Sequence, residues 1–328
     1  MRTLGHGLLL GLGWLVAALS LTGIPTAESH AAGYPERPVT LIVPYPAGGV
    51  TDLTARALAD SMSRHLSQPV VVVNRPGAGA TIGGNAVATA APDGHVLGFF
   101  PLAAAVPEVF KFVYDSPYSS TDLRAIASVA ATAMSFAVKA DSPLQSMKDV
   151  VDLARRSGGL LIGTPGKQTL PSMIMIKIAA KEGVKMDDVA FGGDSKTLPA
   201  LLGGHVPVGA IDYAALRASV DAKKIRVLAV CAENRVDFAP DVPTVVELGY
   251  ELPYASSLGL FGPKGLPEGL VKELQDLVGK ITKEAQFVGR MRDMSIQTNF
   301  KDSATYQKAV FRDRDNLIGF FKQQGLLK

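Results

Sequence analysis

The chain has 328 residues, of which 47% are hydrophobic and 19% charged, enough apolar material for the cores of about two domains of roughly 150 residues each. Its formal net charge is only +3, and no run of Lys or Arg forms a basic stripe, which argues against a nucleic-acid partner. Composition therefore favours a globular protein that handles a small molecule.

The first 32 residues have the layout of a secretory signal peptide. Arg2 is followed by an apolar run from Leu8 to Leu21, and small residues lead to Ala31 and Ala32. The run is shorter than the about 20 residues that a membrane span needs, although an uncleaved anchor helix is the alternative. We expect cleavage near Ala31 or Ala32 and export to the periplasm, without a lipid anchor because no Cys lies near the cut.

The remaining chain alternates short apolar runs, typical of buried strands, with longer segments of helical periodicity. Strands are predicted at 39–45, 69–74, 95–100, 135–139, 160–164, 188–191, 206–212, 225–232 and 257–262. Helices are predicted at 51–66, 83–91, 146–158, 170–183, 196–204, 213–222, near 268–284 and at 304–323. This alternation predicts two successive α/β units, each most simply a parallel sheet covered by helices.

Four loops follow predicted strands and lead into helices: "YPAGGVTD", "GTPGKQT", "GGDSKT" and "AIDYA". Ligands of open α/β sheets bind at such strand ends. The second loop is not a phosphate-binding P-loop, because Leu161 stands where the first Gly is needed and Gln168 where Ser or Thr is needed. A glycine-containing loop before a helix still presents free N–H groups to an anion, including a carboxylate. Each loop alone is equally well an ordinary turn, but two of them facing each other across a cleft favour anion binding.

Long stretches of the chain resemble one protein family. They include "YPERPVTLIVPYPAGGVTD", "LLGGHVPVGAIDYAALRASVDAKKIRVLAV", "PDVPTVVELGY" and "GLFGPKGLPEGLVKEL". Together they are similar to the substrate-binding proteins of tripartite tricarboxylate transporters, also called the Bug family. The resemblance implies two doubly wound α/β domains joined by a hinge, the type II periplasmic-binding-protein or flytrap architecture. We expect one domain at 33–133 with 257–328, the other at 134–256, and the hinge near 130–136 and 255–260.

The resemblance also implies the function and the site. Family members are periplasmic receptors for small carboxylates that work with a small and a large membrane subunit, although many are encoded without these subunits. For this protein we expect a monomeric receptor that needs no cofactor and is not an enzyme. The resemblance implies that the first and second loops bind the carboxylate and that Asp212 contacts the ligand or its waters. The expected ligand-binding residues are Tyr45, Pro46, Ala47, Gly48, Gly49, Thr51, Asp52, Leu102, Ala103, Gly163, Thr164, Gly166, Lys167, Gln168, Thr169 and Asp212.

Two departures from the family pattern suggest hypotheses about the ligand. Lys167 is an added cation that either pairs with a distal carboxylate or is solvated. The apolar segment from Leu102 to Ala104 stands where relatives often place polar residues, which favours a longer aliphatic or aromatic acid over citrate.

Other function classes receive less support from the sequence. No H-E-x-x-H, C-x-x-C or G-x-S-x-G motif occurs, which argues against a periplasmic hydrolase. His65, His95 and His205 lack metal-ligand spacing, so no metal site is expected. The single cysteine, Cys231, is predicted to be a small core residue. A receptor that reports to a membrane sensor would share every feature of a transport receptor and stays an alternative.

Overall fold

The computed structural model describes residues 33–111, 115–166, 170–251, 256–323, 325 and 327; at Ala103 and Phe110 it describes the backbone alone. The predicted signal peptide, residues 1–32, lies outside the described residues. Within the part that is described, no helix has the length and apolar character needed to cross a membrane.

The chain forms two sheets with helices packed against them, which confirms the expected α/β architecture. The six-stranded sheet has the order β11-β4-β10-β3-β1-β2 and contains β1 (Val39–Val43), β2 (Val70–Asn74), β3 (Val96–Pro101), β4 (Leu123–Ala131), β10 (Ser257–Pro263) and β11 (Gln297–Lys301). The five-stranded sheet has the order β7-β6-β8-β5-β9 and contains β5 (Met134–Lys139), β6 (Leu160–Thr164), β7 (Met186–Ala190), β8 (Val208–Asp212) and β9 (Ile225–Val230).

The described helices follow the strands in the predicted alternation. They are α1 (Val50–His65), α2 (Thr81–Ala88), α3 (Leu102–Ala105), α4 (Met147–Ser157), α5 (Leu170–Glu182), α6 (Asp194–Leu202), α7 (Tyr213–Asp221), α8 (Glu268–Ile281), α9 (Ala285–Asp293) and α10 (Ser303–Gln323). Helices α3 and α9 and strands β4 and β11 were not predicted from the sequence. Strand β4 reads "LRAIASVAA", whose alanines carry little strand preference, so its pairing depends on its neighbours.

Both sheets are mixed, which corrects the expectation of two parallel sheets. Strand β4 ends at Ala131 and β5 begins at Met134, so the chain passes from one sheet to the other without a helix between them. Met134 lies beside Asp212 at the carboxyl end of β8, and β5 therefore runs antiparallel to β8. The returning strand β10 likewise places Leu258 beside Pro101 at the end of β3. A parallel neighbour would have required a long crossover connection at each of these passages.

Helices cover both faces of the six-stranded sheet, because alternate residues of its strands point to opposite sides. Leu41 of β1 belongs to the buried cluster that contains Leu58 of α1 and Leu274 of α8. The next residue, Ile42, belongs to the cluster that contains Val310 of α10. Each such buried side chain contributes about 1.5–3 kcal/mol of hydrophobic stabilisation. Packing on both faces therefore fixes the position of β1 in the sheet.

Candidate ligand-binding site

A cavity of about 560 Å³ lies between the two sheets, at the edge where the parallel strands end. Its walls come from both sheets and from the segments that connect them. The lining residues are Pro44–Ala47, Gly49–Thr51, Pro76, Gly77, Gly79, Ala80, Pro101, Leu102, Thr132, Met134, Pro165, Gly166, Leu170, Ala190, Gly192–Ser195, Asp212 and Ser256–Leu258.

The first loop reaches the cavity at the N-terminus of α1. Gly49 is the residue before this helix, and no side chain caps the helix start through a hydrogen bond. Gly49, Val50 and Thr51 all line the cavity. The N-terminus of a 16-residue helix carries a partial positive charge and backbone N–H groups without intrahelical partners. This wall can therefore hold a carboxylate.

Asp52 holds this loop in place and does not line the cavity. The side chain is 1% exposed and accepts hydrogen bonds from the Gly48 backbone N–H at 2.8 Å, Arg56 Nε at 3.0 Å and Asn74 Nδ2 at 2.8 Å. Burial by itself would raise its pKa, but these hydrogen bonds hold the pKa of Asp52 below its ordinary value. Asn74 also donates to the Tyr45 carbonyl at 3.0 Å, which ties the loop to the end of β2.

Among the described residues of the second loop, Pro165 and Gly166 line the cavity, whereas Gly163 and Thr164 do not. Thr164 is fully buried, and its hydroxyl donates to Asp188 Oδ1 at 2.5 Å. The Ser172 hydroxyl of α5 donates to the other oxygen of the same carboxylate, so Asp188 ties both ends of the loop together. Gly163 faces inward as well, since a Cβ there would lie 2.8 Å from Val206.

The expected site residues therefore divide into three groups. Those that line the cavity are Tyr45, Pro46, Ala47, Gly49, Thr51, Leu102, Gly166 and Asp212. Those described away from its lining are Gly48, Asp52, Gly163 and Thr164. Lys167, Gln168 and Thr169 lie outside the described residues, as does the side chain of Ala103.

The wall formed by the five-stranded sheet carries a pair of carboxylates. Asp212, which is 3% exposed, caps α7 by accepting a hydrogen bond from the Ala214 N–H at 3.0 Å. The Asp212 N–H donates to Asp194 Oδ1 at 3.2 Å, which places the first turn of α6 beside the end of β8. Asp194 was not among the predicted site residues, although its position after the two glycines of "GGDSKT" placed it at a strand end.

The pKa values of both carboxylates lie above the ordinary range of an aspartate. Burial raises the pKa of Asp194 to about 7, and repulsion by Asp212 adds to the rise. Burial also raises the pKa of Asp212 to about 6, although hydrogen bonds from the Ala214 N–H and the Thr132 hydroxyl act in the opposite direction. Near neutral pH the pair therefore favours a shared proton or a positively charged neighbour.

The rest of the lining combines an apolar band with hydroxyl groups. The band consists of Leu102, Met134, Leu170 and Leu258. The hydroxyls of Thr132 and Ser256 lie 2.6 Å apart where the two connecting segments cross between the sheets.

The described residues contain no set of three His, Cys, Asp or Glu side chains that could hold a metal ion. Cys231 is buried near Asp212, and burial raises the pKa of its thiol well above the ordinary value, which disfavours the nucleophilic thiolate.

Two domains that enclose a cavity between strand ends define a two-domain solute-binding protein. The family model "Tripartite tricarboxylate transporter family receptor" matches residues 54–322, and the chain belongs to this family of receptors. The UPF0065 protein in the gbd 5' region of Cupriavidus necator is 34% identical over 326 residues, covering 97% of this chain and 96% of the relative.

Two solved structures extend the comparison. The periplasmic binding protein BugD is 28% identical with a TM-score of 0.77, over 90% of this chain and 100% of that one. The R. palustris protein Rpa4515, solved with adipate, is 25% identical with a TM-score of 0.81, over 89% of this chain and 98% of that one.

Proposed function

We propose that this protein captures a small carboxylate in the periplasm and presents it to the membrane subunits of a tripartite transporter. The observation that carries the proposal is the cavity between the two sheets, with the uncapped N-terminus of α1 in its wall. The similar R. palustris protein Rpa4515, solved with adipate, supports a carboxylate as the ligand. The sequence of residues 1–32 supports export.

We propose that the ligand has an apolar body. Leu102, Met134, Leu170 and Leu258 offer no partners to hydroxyl groups, and each polar group buried without a partner costs about 1–3 kcal/mol. An aliphatic or aromatic acid therefore fits this band better than citrate does.

Transport would depend on closure of the two domains. A ligand that contacts both walls binds the closed form more tightly and shifts the population toward it. The membrane subunits would then recognise the closed, monomeric receptor. The crossing segments beside Thr132 and Ser256 are the proposed hinge.

A thermal-shift screen of residues 33–328 against mono-, di- and tricarboxylates, including aromatic ones, tests the proposal. A ligand at a hundred times its dissociation constant adds about 2.7 kcal/mol to the free energy of unfolding. Gly49→Leu places a bulky side chain at the cavity wall and should abolish the shift. Gly269→Leu is the matched control, because a side chain there would meet nothing within 4 Å and lies outside the cavity lining.

Absence of any shift across the panel, also after refolding to remove a bound ligand, would contradict carboxylate capture. Loss of growth on the identified acid in a deletion strain, restored by the wild-type gene, would support delivery for uptake. Unchanged growth would contradict a transport role.

A further inference from the structure

Among the described residues, the charges that line the cavity are unbalanced for a dicarboxylate ligand. The described lining contains two carboxylates, Asp194 and Asp212, and no Lys, Arg or His. The N-terminus of α1 compensates one ligand carboxylate with about half a unit charge. A second ligand carboxylate would have to lie in the same small cavity as two acidic side chains.

The acidic pair also lacks a positively charged partner in the described protein. Its neighbours are the Ala214 N–H, the Thr132 hydroxyl and the Cys231 thiol, and none of these carries a positive charge. Asp194 accepts the Asp212 N–H, and no described ion pair involves either carboxylate. A carboxylate has about four acceptor positions, so this wall retains capacity for a donor on the ligand.

The two ends of the cavity therefore differ in chemistry. A helix N-terminus suited to an anion lies on the six-stranded side, and a carboxylate pair suited to a cation lies on the five-stranded side. The apolar band contains residues from both sides, such as Leu102 and Leu170. A ligand that satisfies all three surfaces has an anionic end, an apolar spacer and a cationic end.

We propose that Asp194 and Asp212 recognise the ammonium group of an amino-substituted carboxylate whose carboxylate end lies at the N-terminus of α1. This inference rests on the proposed function and specifies the ligand class for the same cavity. It makes Asp194 a specificity-determining residue. It also joins ligand binding to domain closure, because one ligand end contacts each sheet.

Isothermal titration calorimetry at about pH 7 with three six-carbon acids tests the inference. The acids 6-aminohexanoate, hexanoate and adipate share one carboxylate and differ at the far end, and the corresponding four-carbon series controls for length. We expect the amino acid of at least one series to bind more tightly than its two analogues, by about tenfold or more. Asp194→Asn should reduce that preference by about tenfold, since it removes charge and keeps the acceptor for the Asp212 N–H.

Asp187→Asn is the matched control for the variant. Asp187 is half exposed on strand β7, pairs with Lys185 and does not line the cavity, so Asp187→Asn should leave the preference for the ammonium end unchanged.

A Lys167→Gln variant tests whether a cation of the chain itself neutralises Asp194 and Asp212. Tighter binding of the dicarboxylate in the wild type, lost in Lys167→Gln, would overturn the inference.

The remaining outcomes separate the inference from the proposed function. Binding of the acids without preference for an ammonium end overturns the inference and leaves carboxylate capture intact. A preference that survives in Asp194→Asn also overturns it. If no carboxylate binds in these series or in the wider screen, both the inference and the proposed function fail.

Discussion

Substitution of Asp52 by Ala tests how the first loop is held beside the cavity. The change removes the acceptor for three donors, on Gly48, Asn74 and Arg56. The first two are part-buried, and each loss costs about 1–2 kcal/mol because the donor is left without its charged partner. Arg56 is 49% exposed, so its pairing contributes less than about 1 kcal/mol. The expected loss of stability is about 2–4 kcal/mol in total.

Thermal unfolding followed by circular dichroism measures this loss, and calorimetry on the same samples measures ligand affinity. At about 2–4 °C per kcal/mol, the melting temperature of Asp52→Ala should fall by roughly 4–16 °C. Asp52→Asn should fall by less, since the amide oxygen still accepts the Gly48 N–H. Lost binding with an unchanged melting temperature would refute the positioning role and favour direct ligand contact by Asp52. An unchanged melting temperature together with unchanged ligand affinity would show that the hydrogen bonds of Asp52 contribute little to stability or binding.

Three further predictions concern other parts of the molecule. The raised pKa of Asp194 means that the folded state keeps a proton that the unfolded state loses, so stability falls as pH rises from about 4 to about 7. The stability of Asp194→Asn relative to the wild type should therefore rise by about 2–3 kcal/mol between pH 5 and 8, and parallel urea-stability curves would argue against the raised pKa. Gly84→Ala should destabilise by about 1–3 kcal/mol despite the helix preference of Ala, because the new Cβ would lie 1.8 Å from the Tyr118 hydroxyl; a higher urea midpoint would contradict this. Thr164→Val should cost about 1–2 kcal/mol through the lost bond to Asp188, and weakened binding at unchanged stability would instead indicate a ligand contact.

Local sequence patterns determined much of the element order. Strand β6 spans the predicted residues 160–164, and the start of α7 at Tyr213 agrees with the prediction. These segments are predictable because apolar periodicity and glycine or proline breaks depend on nearby residues. Strand direction was not predictable in the same way. The antiparallel placement of β5 against β8 depends on where the chain enters the second sheet, which involves contacts between distant residues.

In the candidate site, too, some features were predictable from the sequence and others depended on the tertiary structure. The sequence placed glycine-containing loops at strand ends and, through its family resemblance, placed a cleft between two domains. It did not distinguish Thr51, which lines the cavity, from Asp52 and Thr164, whose side chains bind neighbouring groups of the protein. Adjacent loop residues point in opposite directions once the backbone is folded, and a residue pattern does not specify that direction.

The sequence by itself determined the alternation of strands and helices, the position of the loops and the family. Only the tertiary structure brought Asp194 and Asp212 together, although they are 18 positions apart in the chain. Their contact arises because α6 begins beside the end of β8, an arrangement that follows from the strand order of the second sheet. Burial and mutual repulsion act only after that pairing exists. The charge preference of the cavity is therefore a property of the fold, because it depends on the distance between groups and on their exposure to water.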